Sequence, residues 1–308
     1  MHKNIQTLPR NIQIISGAQQ GIDIAARALL QRGDIVCMEN PTYPGATAAF
    51  RACGAKIVDI ALTKEGIDLS DLEIKLKQFR PRLLYVMPNI QNPTGISYSK
   101  NICRRLIGLA RYYDTSIIED DYISALHYGR TAPVPLKTYD SDDRVIYIRS
   151  FSKLFMPGLR LAYMVIPSPL YQKMLNVKNI SDIATSGLTQ RVFDYYLRTG
   201  LWHSHLRSII GTCRTRFDFA LKMAQAYLPQ DIKFDRPSGG LSLWLKLPPR
   251  INTPSLICRA YSRGIMLCDS SPFFLRPFAH DCLRLSFAAL SPAQVRSGMQ
   301  ILGELTKN

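Results

Sequence analysis

Short apolar runs alternate with stretches of helical periodicity through the first half of this chain, and this alternation limits its fold more than any other feature. The runs lie at 14–15, 35–38, 56–60, 83–87, 115–118, 145–148 and 161–166. Short, almost uniformly apolar strands connected by helices are typical of a parallel sheet covered on both faces. We therefore predict a doubly wound α/β architecture for residues up to about 170.

Local signals predict where the connecting helices begin and end. Apolar residues recur at helical spacing between Ser16, a possible N-cap, and Gly33, a stop signal. Ser70 opens a Ser-Asp-Leu-Glu sequence that fits a capping box. A further helix is expected over residues 99–113. These helices would connect successive strands and cover the sheet.

The second half of the chain has a different pattern. Mostly helical sequence extends to about Tyr227, and residues 241–247 alternate between apolar and polar as a half-buried strand does. A helix near 254–263 and strands at 265–268 and 283–287 would complete a smaller α+β unit.

Three parts of the chain are therefore predicted. They are a large α/β domain at 1–170, a helical connection at 171–228 and a small C-terminal α+β domain at 229–308. Two lobes imply a cleft between them, which is a common place for a ligand.

Composition narrows the class of protein. With 46% apolar and 20% charged residues the chain is globular, and no apolar run reaches the roughly 18 residues of a membrane helix.

The start of the sequence lacks a secretory pattern, so the cytoplasm is the expected location. The seven scattered cysteines are expected to be buried thiols. The net charge of +16 suits anionic partners, although a solvated basic surface is the favoured explanation.

Polar groups follow the ends of several predicted strands. In open α/β sheets, ligands bind beyond the carboxyl ends of the strands. A small-residue turn at 16–20 enters a helix whose N-terminus favours an anion. Acidic residues at 119–121 are costly to cluster unless a cation meets them. Lys153 follows two hydroxyl residues, and Arg160 lies seven positions later. These groups are expected to converge on one rim of the sheet.

The motifs at these positions resemble those of fold-type I pyridoxal-phosphate (PLP) aminotransferases, and they occur in the same order. They are Ser-Gly-Ala-Gln-Gln at 16–20, Asn-Pro-Thr-Tyr-Pro-Gly at 40–45, Asn-Pro-Thr-Gly at 92–95, Glu-Asp-Asp-Tyr at 119–122, Ser-Phe-Ser-Lys at 150–153 and Pro-Gly-Leu-Arg-Leu at 157–161. The nearest resemblance is to the aminotransferase-like domain of MocR-type GntR regulators and to 2-aminoadipate-type transaminases. It extends from about Ile12 to Leu305, and several ordered motifs over that length are specific.

The resemblance implies roles for the residues around the cofactor ring. Lys153 would form the internal aldimine with PLP and then shuttle the substrate proton. Asp120 would keep the pyridine nitrogen protonated, so that the ring acts as an electron sink. Asn92 and Tyr122 would bond the phenolic oxygen, and Tyr43 would lie against the ring face.

Further residues are implied for the two anionic groups. The cofactor phosphate would be bound by Gly17, Ala18, Gln19, Ser150, Ser152 and Arg160. Arg284, with Asn92 beside it, would bind the substrate carboxylate through a bidentate guanidinium. No metal is implied. The substrates would be an amino acid and a 2-oxo acid, and the enzyme would be a homodimer without membrane or direct nucleic-acid partners.

Other polar residues near these motifs are predicted to lie on the surface, without a role in the site. Asp121 is expected to be a solvent-facing neighbour of Asp120. His203 and His205 are expected on the surface, since residues two apart on a helix point in different directions. The arginines at 207, 214 and 216 are expected on a solvated face or an intersubunit contact.

Three features depart from the family pattern. Only 15 residues precede Ser16, so the chain is expected to be naturally short or part of a longer gene product, with the substrate-side lid and dimer affected. Arg149 replaces a residue that is usually small, and it would clash with the phosphate or add to its binding. Asn92 is typical of working transaminases, whereas many regulator domains carry an aromatic residue there.

Two functions besides transamination remain open from the sequence. One is a sensory domain of MocR type that binds PLP and an amino acid without turnover. The other is a truncated, inactive remnant. The leading hypothesis is a PLP-dependent aminotransferase. The expected absence of a DNA-binding domain disfavours regulation by this chain itself, whereas the short N-terminal segment disfavours efficient turnover.

Overall fold

The computed structural model describes residues 5–129, 134–276 and 281–307. The strands in these ranges are β1 (Ile12–Ile15), β2 (Ile35–Asn40), β3 (Lys56–Thr63), β4 (Gly66–Ile67), β5 (Leu83–Val86), β6 (Ser116–Asp121), β7 (Val145–Ser150), β8 (Ala162–Val165), β9 (Ser242–Lys246) and β10 (Cys282–Ser286). The α-helices are α1 (Ala18–Leu29), α2 (Pro44–Ala52), α3 (Leu69–Phe79), α4 (Lys100–Tyr112), α5 (Tyr171–Asp182), α6 (Gly187–Arg198), α7 (Leu201–Tyr227), α8 (Thr253–Ser262) and α9 (Pro292–Thr306).

One large sheet organises the first half of the chain. Its strand order is β1-β8-β7-β6-β5-β2-β3-β4, and the five strands from β7 to β3 are parallel. Helices connect most of these strands, as a parallel sheet requires. The sheet is therefore mixed but mostly parallel, as predicted.

Both faces of this sheet are buried, which explains why its strands are almost uniformly apolar. On β5, Leu83 and Tyr85 belong to a cluster that includes residues of α1 and α2. Leu84 and Val86 belong to a second cluster with residues of α3 and α4. Because side chains alternate along a strand, these two clusters lie on opposite faces.

The strand β8 departs from the parallel series. It pairs antiparallel with both β7 and β1. The connection between β7 and β8 holds only a 3-10 helix at Pro157–Leu159, which is too short to carry the chain back across the sheet. The chain therefore turns at the end of β7, and this turn contains Lys153 and Arg160.

A smaller sheet follows the helices α5 to α7. Strands β9 and β10 pair antiparallel and pack with α7, α8 and α9 around a separate apolar cluster. The strand predicted at 265–268 is wrong: these residues form no strand, and the isolated bridge between Asp269 and Leu283 comes directly after them. A cavity of about 560 Å³ is lined by the segment, β10 and α9, so the segment does not lie along β10 over its length. The three predicted domain boundaries stay predictions.

Two predicted helix caps are corrected. Gly17, not Ser16, is the N-cap of α1, and the helix ends at Leu29, before Gly33. Asp68, not Ser70, caps α3: its carboxylate accepts the N–H groups of Ser70 and Asp71. An aspartate at this place satisfies the free amides of the first turn directly.

Two expectations from composition can be compared with the structure. All seven cysteines are free thiols, but Cys258 and Cys268 are exposed, so the prediction that all are buried is wrong. Within the described ranges, no helix is both long enough and apolar enough to cross a membrane.

Candidate active site

A cavity of about 440 Å³ lies at the carboxyl ends of the large sheet and extends to the small one. It is lined by eleven of the residues implied by the motifs: Ala18, Gln19, Tyr43, Asn92, Asp120, Tyr122, Ser150, Ser152, Lys153, Arg160 and Arg284. Gly17, the remaining one, is the N-cap at the entry of α1. The structure therefore brings the predicted residues to one site, although their individual roles stay predictions.

Asp120 lines the cavity near the end of β6. It is only 3% exposed, and Tyr85 donates its hydroxyl proton to Oδ2 over 2.7 Å. The other oxygen, Oδ1, is buried and has no hydrogen-bond partner among the described residues. Burial raises the pKa of Asp120 to about 7, with the hydrogen bond from Tyr85 acting against the rise. A protonated ring nitrogen is the kind of group that would satisfy Oδ1.

Asp121 is not the solvent-facing neighbour that the sequence suggests. It is 1% exposed, and its Oδ2 lies 2.6 Å from Nη1 of Arg149 on the adjacent strand β7. Arg149 is also buried and is absent from the cavity lining, so its predicted clash with, or addition to, phosphate binding is wrong. Charged groups that leave water need a partner, and these two residues are partners for each other.

A second part of the cavity, beside Gly17 and Arg160, suits an anion. Gly17 has a φ of 92°, and a Cβ at this position would lie 2.4 Å from Nη2 of Arg160. Glycine therefore allows the guanidinium to lie against the first turn of α1, where backbone N–H groups and the helix dipole also favour negative charge. Ser150 and Ser152 border the same space, and the N–H of Ser152 donates to Ser150 Oγ over 3.2 Å.

A buried network that the sequence reasoning missed fixes the loops carrying Tyr43 and Asn92. Glu39, fully buried in β2, accepts the hydroxyl of Tyr98 and the side-chain amide of Gln91. The same Gln91 amide donates to the carbonyl of Pro41 over 2.7 Å.

The network joins the turn after β2 to the loop after β5. Burial raises the pKa of Glu39 to about 7, and the hydrogen bonds from Tyr98 and Met87 act against the rise. The available signal for this network was Glu39, a single acidic residue that follows the apolar run at 35–38 directly and still belongs to β2.

Arg284 enters the cavity from β10 of the small sheet. Its Nη1 donates to Asn92 Oδ1 over 3.2 Å, and its guanidinium lies 5.6 Å from the ring centre of Phe273. Burial raises the pKa of Tyr122, and the positive charge of Arg284 acts against that rise. The arginine is thus held at the boundary between the two sheets, beside the residues that follow β5 and β6.

The histidines on α7 do not belong to this site. His203 is exposed, as predicted, whereas His205 is half-buried and its Nε2 lies 2.8 Å from the carbonyl oxygen of Leu154. The prediction of a surface position is therefore wrong for His205. Its ring also packs near Phe155 and Trp202, so it supports the segment that follows Lys153.

Comparison with known proteins gives consistent matches over nearly the whole chain. The family model described as aminotransferase class I and II matches residues 1–302. A 2-aminoadipate transaminase of Thermus thermophilus is 32% identical over 303 residues, covering 97% of this chain and 76% of that protein. The crystal structure of a Pyrococcus horikoshii kynurenine aminotransferase in complex with PMP has a TM-score of 0.92 at 31% identity, covering 96% of this chain and 74% of that one.

A regulator is also similar to the chain. The uncharacterized HTH-type transcriptional regulator YdfD of Bacillus subtilis is 30% identical over 297 residues. The match covers 96% of this chain and 61% of the regulator.

The fold and the site together define a PLP-dependent enzyme of fold type I. The chain belongs to the class I and II aminotransferase family. The predicted architecture, PLP as the cofactor and amino-acid transamination as the function are thereby confirmed. Asp120 Oδ1, which has no hydrogen-bond partner among the described residues, fits a pyridine nitrogen, and the close approach of Arg160 to Gly17 fits a phosphate.

The stability of the cofactor-free protein should depend on Asp120 in a defined direction. The pKa of Asp120 in the fold, about 7, lies above its ordinary value of 3.8, so the folded state holds this proton more tightly than the unfolded chain. The stabilisation is complete below pH 3.8 and is lost as the pH rises through about 7. We expect the melting temperature of the cofactor-free protein to fall between about pH 4 and 7 and to level off above pH 7, and to fall less in Asp120→Asn.

The comparison isolates Asp120 because Glu39, whose pKa is raised in the same way, is present in both proteins. Differential scanning calorimetry at matched ionic strength gives the two pH profiles. Identical profiles would show that Asp120 is already ionised in the cofactor-free protein.

Proposed function

We propose that Lys153 is the residue that links covalently to PLP and then moves the substrate proton. It lies three residues after the end of β7 and borders the same cavity as Asp120 and Arg160. An amine can serve both as nucleophile and as general base. PLP, when bound, supplies an electron sink for the carbanion that forms when the substrate loses its α-proton.

The observation that carries the proposed PLP site, and with it the role of Lys153, is Oδ1 of Asp120, which is buried and has no hydrogen-bond partner among the described residues. We propose that Oδ1 accepts a hydrogen bond from the protonated ring nitrogen, while Tyr85 donates its hydroxyl proton to Oδ2. Tyr43 would cover the ring face, and Asn92 and Tyr122 would bond the phenolic oxygen. Each of these side chains borders the same cavity, which supports their acting on one group.

The part of the cavity beside Gly17 and Arg160 would hold the cofactor phosphate. Arg160 would provide the guanidinium, and Ala18 and Gln19 would provide backbone N–H groups from the first turn of α1. The hydroxyls of Ser150 and Ser152 would complete the set. A dianion suits this combination of a helix N-terminus with a guanidinium.

Arg284 would bind the α-carboxylate that amino-acid and 2-oxo-acid substrates share. We expect Arg284→Lys to raise KM by about tenfold to a hundredfold with a smaller change in kcat, because a lysine keeps the charge but loses the bidentate geometry. Steady-state kinetics over a range of amino-acid concentrations measures both constants. Arg263→Lys, in an exposed ion pair with Glu304, serves as the matched control and should leave both unchanged. An unchanged KM in Arg284→Lys would remove Arg284 from the substrate site.

Amino-group transfer itself is tested with the wild-type protein, PLP and pairs of amino acids and 2-oxo acids. Formation of the new amino acid and the new 2-oxo acid in equal amounts, measured by chromatography, is the expected result. The likeness to YdfD keeps a sensory function as the second candidate. A sensor would bind the amino acid and PLP without forming either product.

We propose further that the enzyme is a homodimer. Leu188, Val192 and Tyr195 recur along one face of α6 and are 76%, 47% and 72% exposed. Ile180 and Ile183, just before this helix, are also exposed. Contiguous exposed apolar surface of this kind is typical of protein interfaces.

Replacing apolar residues on this face of α6 by lysines should therefore dissociate the dimer. We expect the wild type to have twice the mass of the chain by light scattering, and Leu188→Lys/Tyr195→Lys to have the mass of one chain. Ile74→Lys, which alters an exposed isoleucine on α3, is the matched control and should remain dimeric. A wild type of single-chain mass would contradict the proposal.

A further inference from the structure

The buried ion pair between Asp121 and Arg149 connects the two strands that carry most of the candidate catalytic groups. Asp121 on β6 lies opposite Arg149 on β7 in the register of the sheet. The preceding residue on β6 is Asp120, and the residue after Arg149 on β7 is Ser150. The pair therefore lies one residue from each of two groups that line the active-site cavity.

The surroundings of Asp121 show what Arg149 contributes. Ser124 donates both its N–H and its hydroxyl to the Asp121 carboxylate, over 2.9 and 2.7 Å. Tyr147 donates its hydroxyl over 2.5 Å. These donors are neutral, whereas Arg149 brings a positive charge, and its Nη1 also donates to Ser124 Oγ over 2.8 Å. Arg149 thus compensates the buried charge of Asp121 as well as holding its position.

The positive charge of Arg149 beside Asp121 also affects whether Asp120 is ionised. The two carboxyl groups are adjacent in sequence, and the negative charge of Asp121 raises the pKa of Asp120 in addition to the effect of burial. Two neighbouring carboxylates without a cation share protons, and one of them becomes a much weaker acid. A protonated Asp120 would not hold a protonated ring nitrogen.

We propose that Arg149 is a positioning residue: by pairing with Asp121, it keeps Asp120 available as the carboxylate that meets the cofactor's ring nitrogen. This inference rests on the proposed role of Asp120. It also gives a function to the arginine that stands where the family usually has a small residue. Arg149 acts through the two aspartates and does not itself line the cavity.

Other ionisable groups surround the pair, and they remain the same in every variant used below. Asp120 faces Tyr85 on β5 and senses the charge of Glu39 on β2, while Tyr43 and Tyr122 lie along the same cavity. Around Asp121 and Arg149 these groups are Tyr147 on β7, Tyr163 on β8 and Glu119 on β6. Differences between variants therefore report on the ion pair.

The test compares PLP affinity, measured by absorbance titration, in four proteins between about pH 6.5 and 8.5. They are the wild type, Arg149→Met, Arg149→Lys and the double variant Asp121→Asn/Arg149→Met. Without Arg149, the uncompensated charge of Asp121 raises the pKa of Asp120. A rise of about one unit lowers the ionised fraction of Asp120 about tenfold at the acid end, so we expect Arg149→Met to bind PLP about tenfold more weakly there. The deficit should shrink as the pH rises and Asp120 ionises. Arg149→Lys, which keeps the charge, and the double variant, which removes both charges, should follow the wild-type pH profile.

Two results would overturn the proposal. One is a deficit in Arg149→Met that is the same at every pH, and the other is an equal deficit in the double variant. Either would mean that Arg149 acts through packing alone. If Arg149→Met does not fold, the other two variants decide, and a shifted pH profile in either contradicts the proposal. A failure of transamination is distinguishable, since it would leave PLP affinity normal and amino transfer absent in the wild type.

Discussion

The Lys153→Ala variant is expected to bind PLP without the visible absorbance band of the lysine-bound cofactor, and to lose amino transfer by at least about 10³-fold. Proton transfer by a positioned side chain contributes about 10²–10⁴-fold, and Lys153 is proposed to be the nucleophile as well. Absorbance spectroscopy and product formation measure the two effects separately. The side chain lies at the exposed edge of the cavity, so its removal should leave the fold unchanged.

Lys173→Ala provides the matched control for this experiment. Lys173 is an exposed lysine on α5, outside the cavity lining, and its variant should keep both the band and the activity. A visible band that survives in Lys153→Ala would assign the covalent link to another lysine.

The Asp120→Asn variant is expected to lose amino transfer by about 10²–10³-fold, the range seen when a preorganised electrostatic group is removed from an active site. Asparagine has nearly the same shape, but it cannot carry the negative charge that keeps the ring nitrogen protonated. The same substitution removes a buried carboxyl group whose pKa is raised by burial, so the cofactor-free variant should be at least as stable as the wild type near pH 8.

Activity and stability should therefore change in opposite directions in Asp120→Asn. Steady-state kinetics and thermal unfolding on the same preparation measure both. The control is Asp235→Asn, in an exposed ion pair with Lys64, which should change neither. Normal amino transfer in Asp120→Asn would remove Asp120 from the cofactor site.

Much of the fold was predictable because its signals are local. Apolar runs such as 83–87 mark strands buried on both faces, and the end of each strand shows which residues reach the rim. Ordered motifs then identified the residues that line the cavity, including Lys153 and Arg284. The direction of β8 was harder to anticipate, since it depends on the short connection after β7.

The interactions that were missed are those between strands. The sequence places Asp120 and Asp121 side by side, but only the register of β6 against β7 reveals that Arg149 lies opposite Asp121. The contact between Glu39 and Gln91 likewise joins residues 52 positions apart. Periodicity shows which face a side chain occupies, whereas its partner depends on how neighbouring strands are aligned.

The most direct measurement of amino transfer by this chain is one half-reaction with a panel of amino acids and no 2-oxo acid. The wild-type protein is loaded with PLP, and the absorbance spectrum and the released 2-oxo acid are followed together. We predict that at least one amino acid converts the visible band to the pyridoxamine form and releases an equivalent amount of 2-oxo acid, and that Lys153→Ala does neither. A band that shifts with amino acid but yields no 2-oxo acid across the panel would contradict transamination.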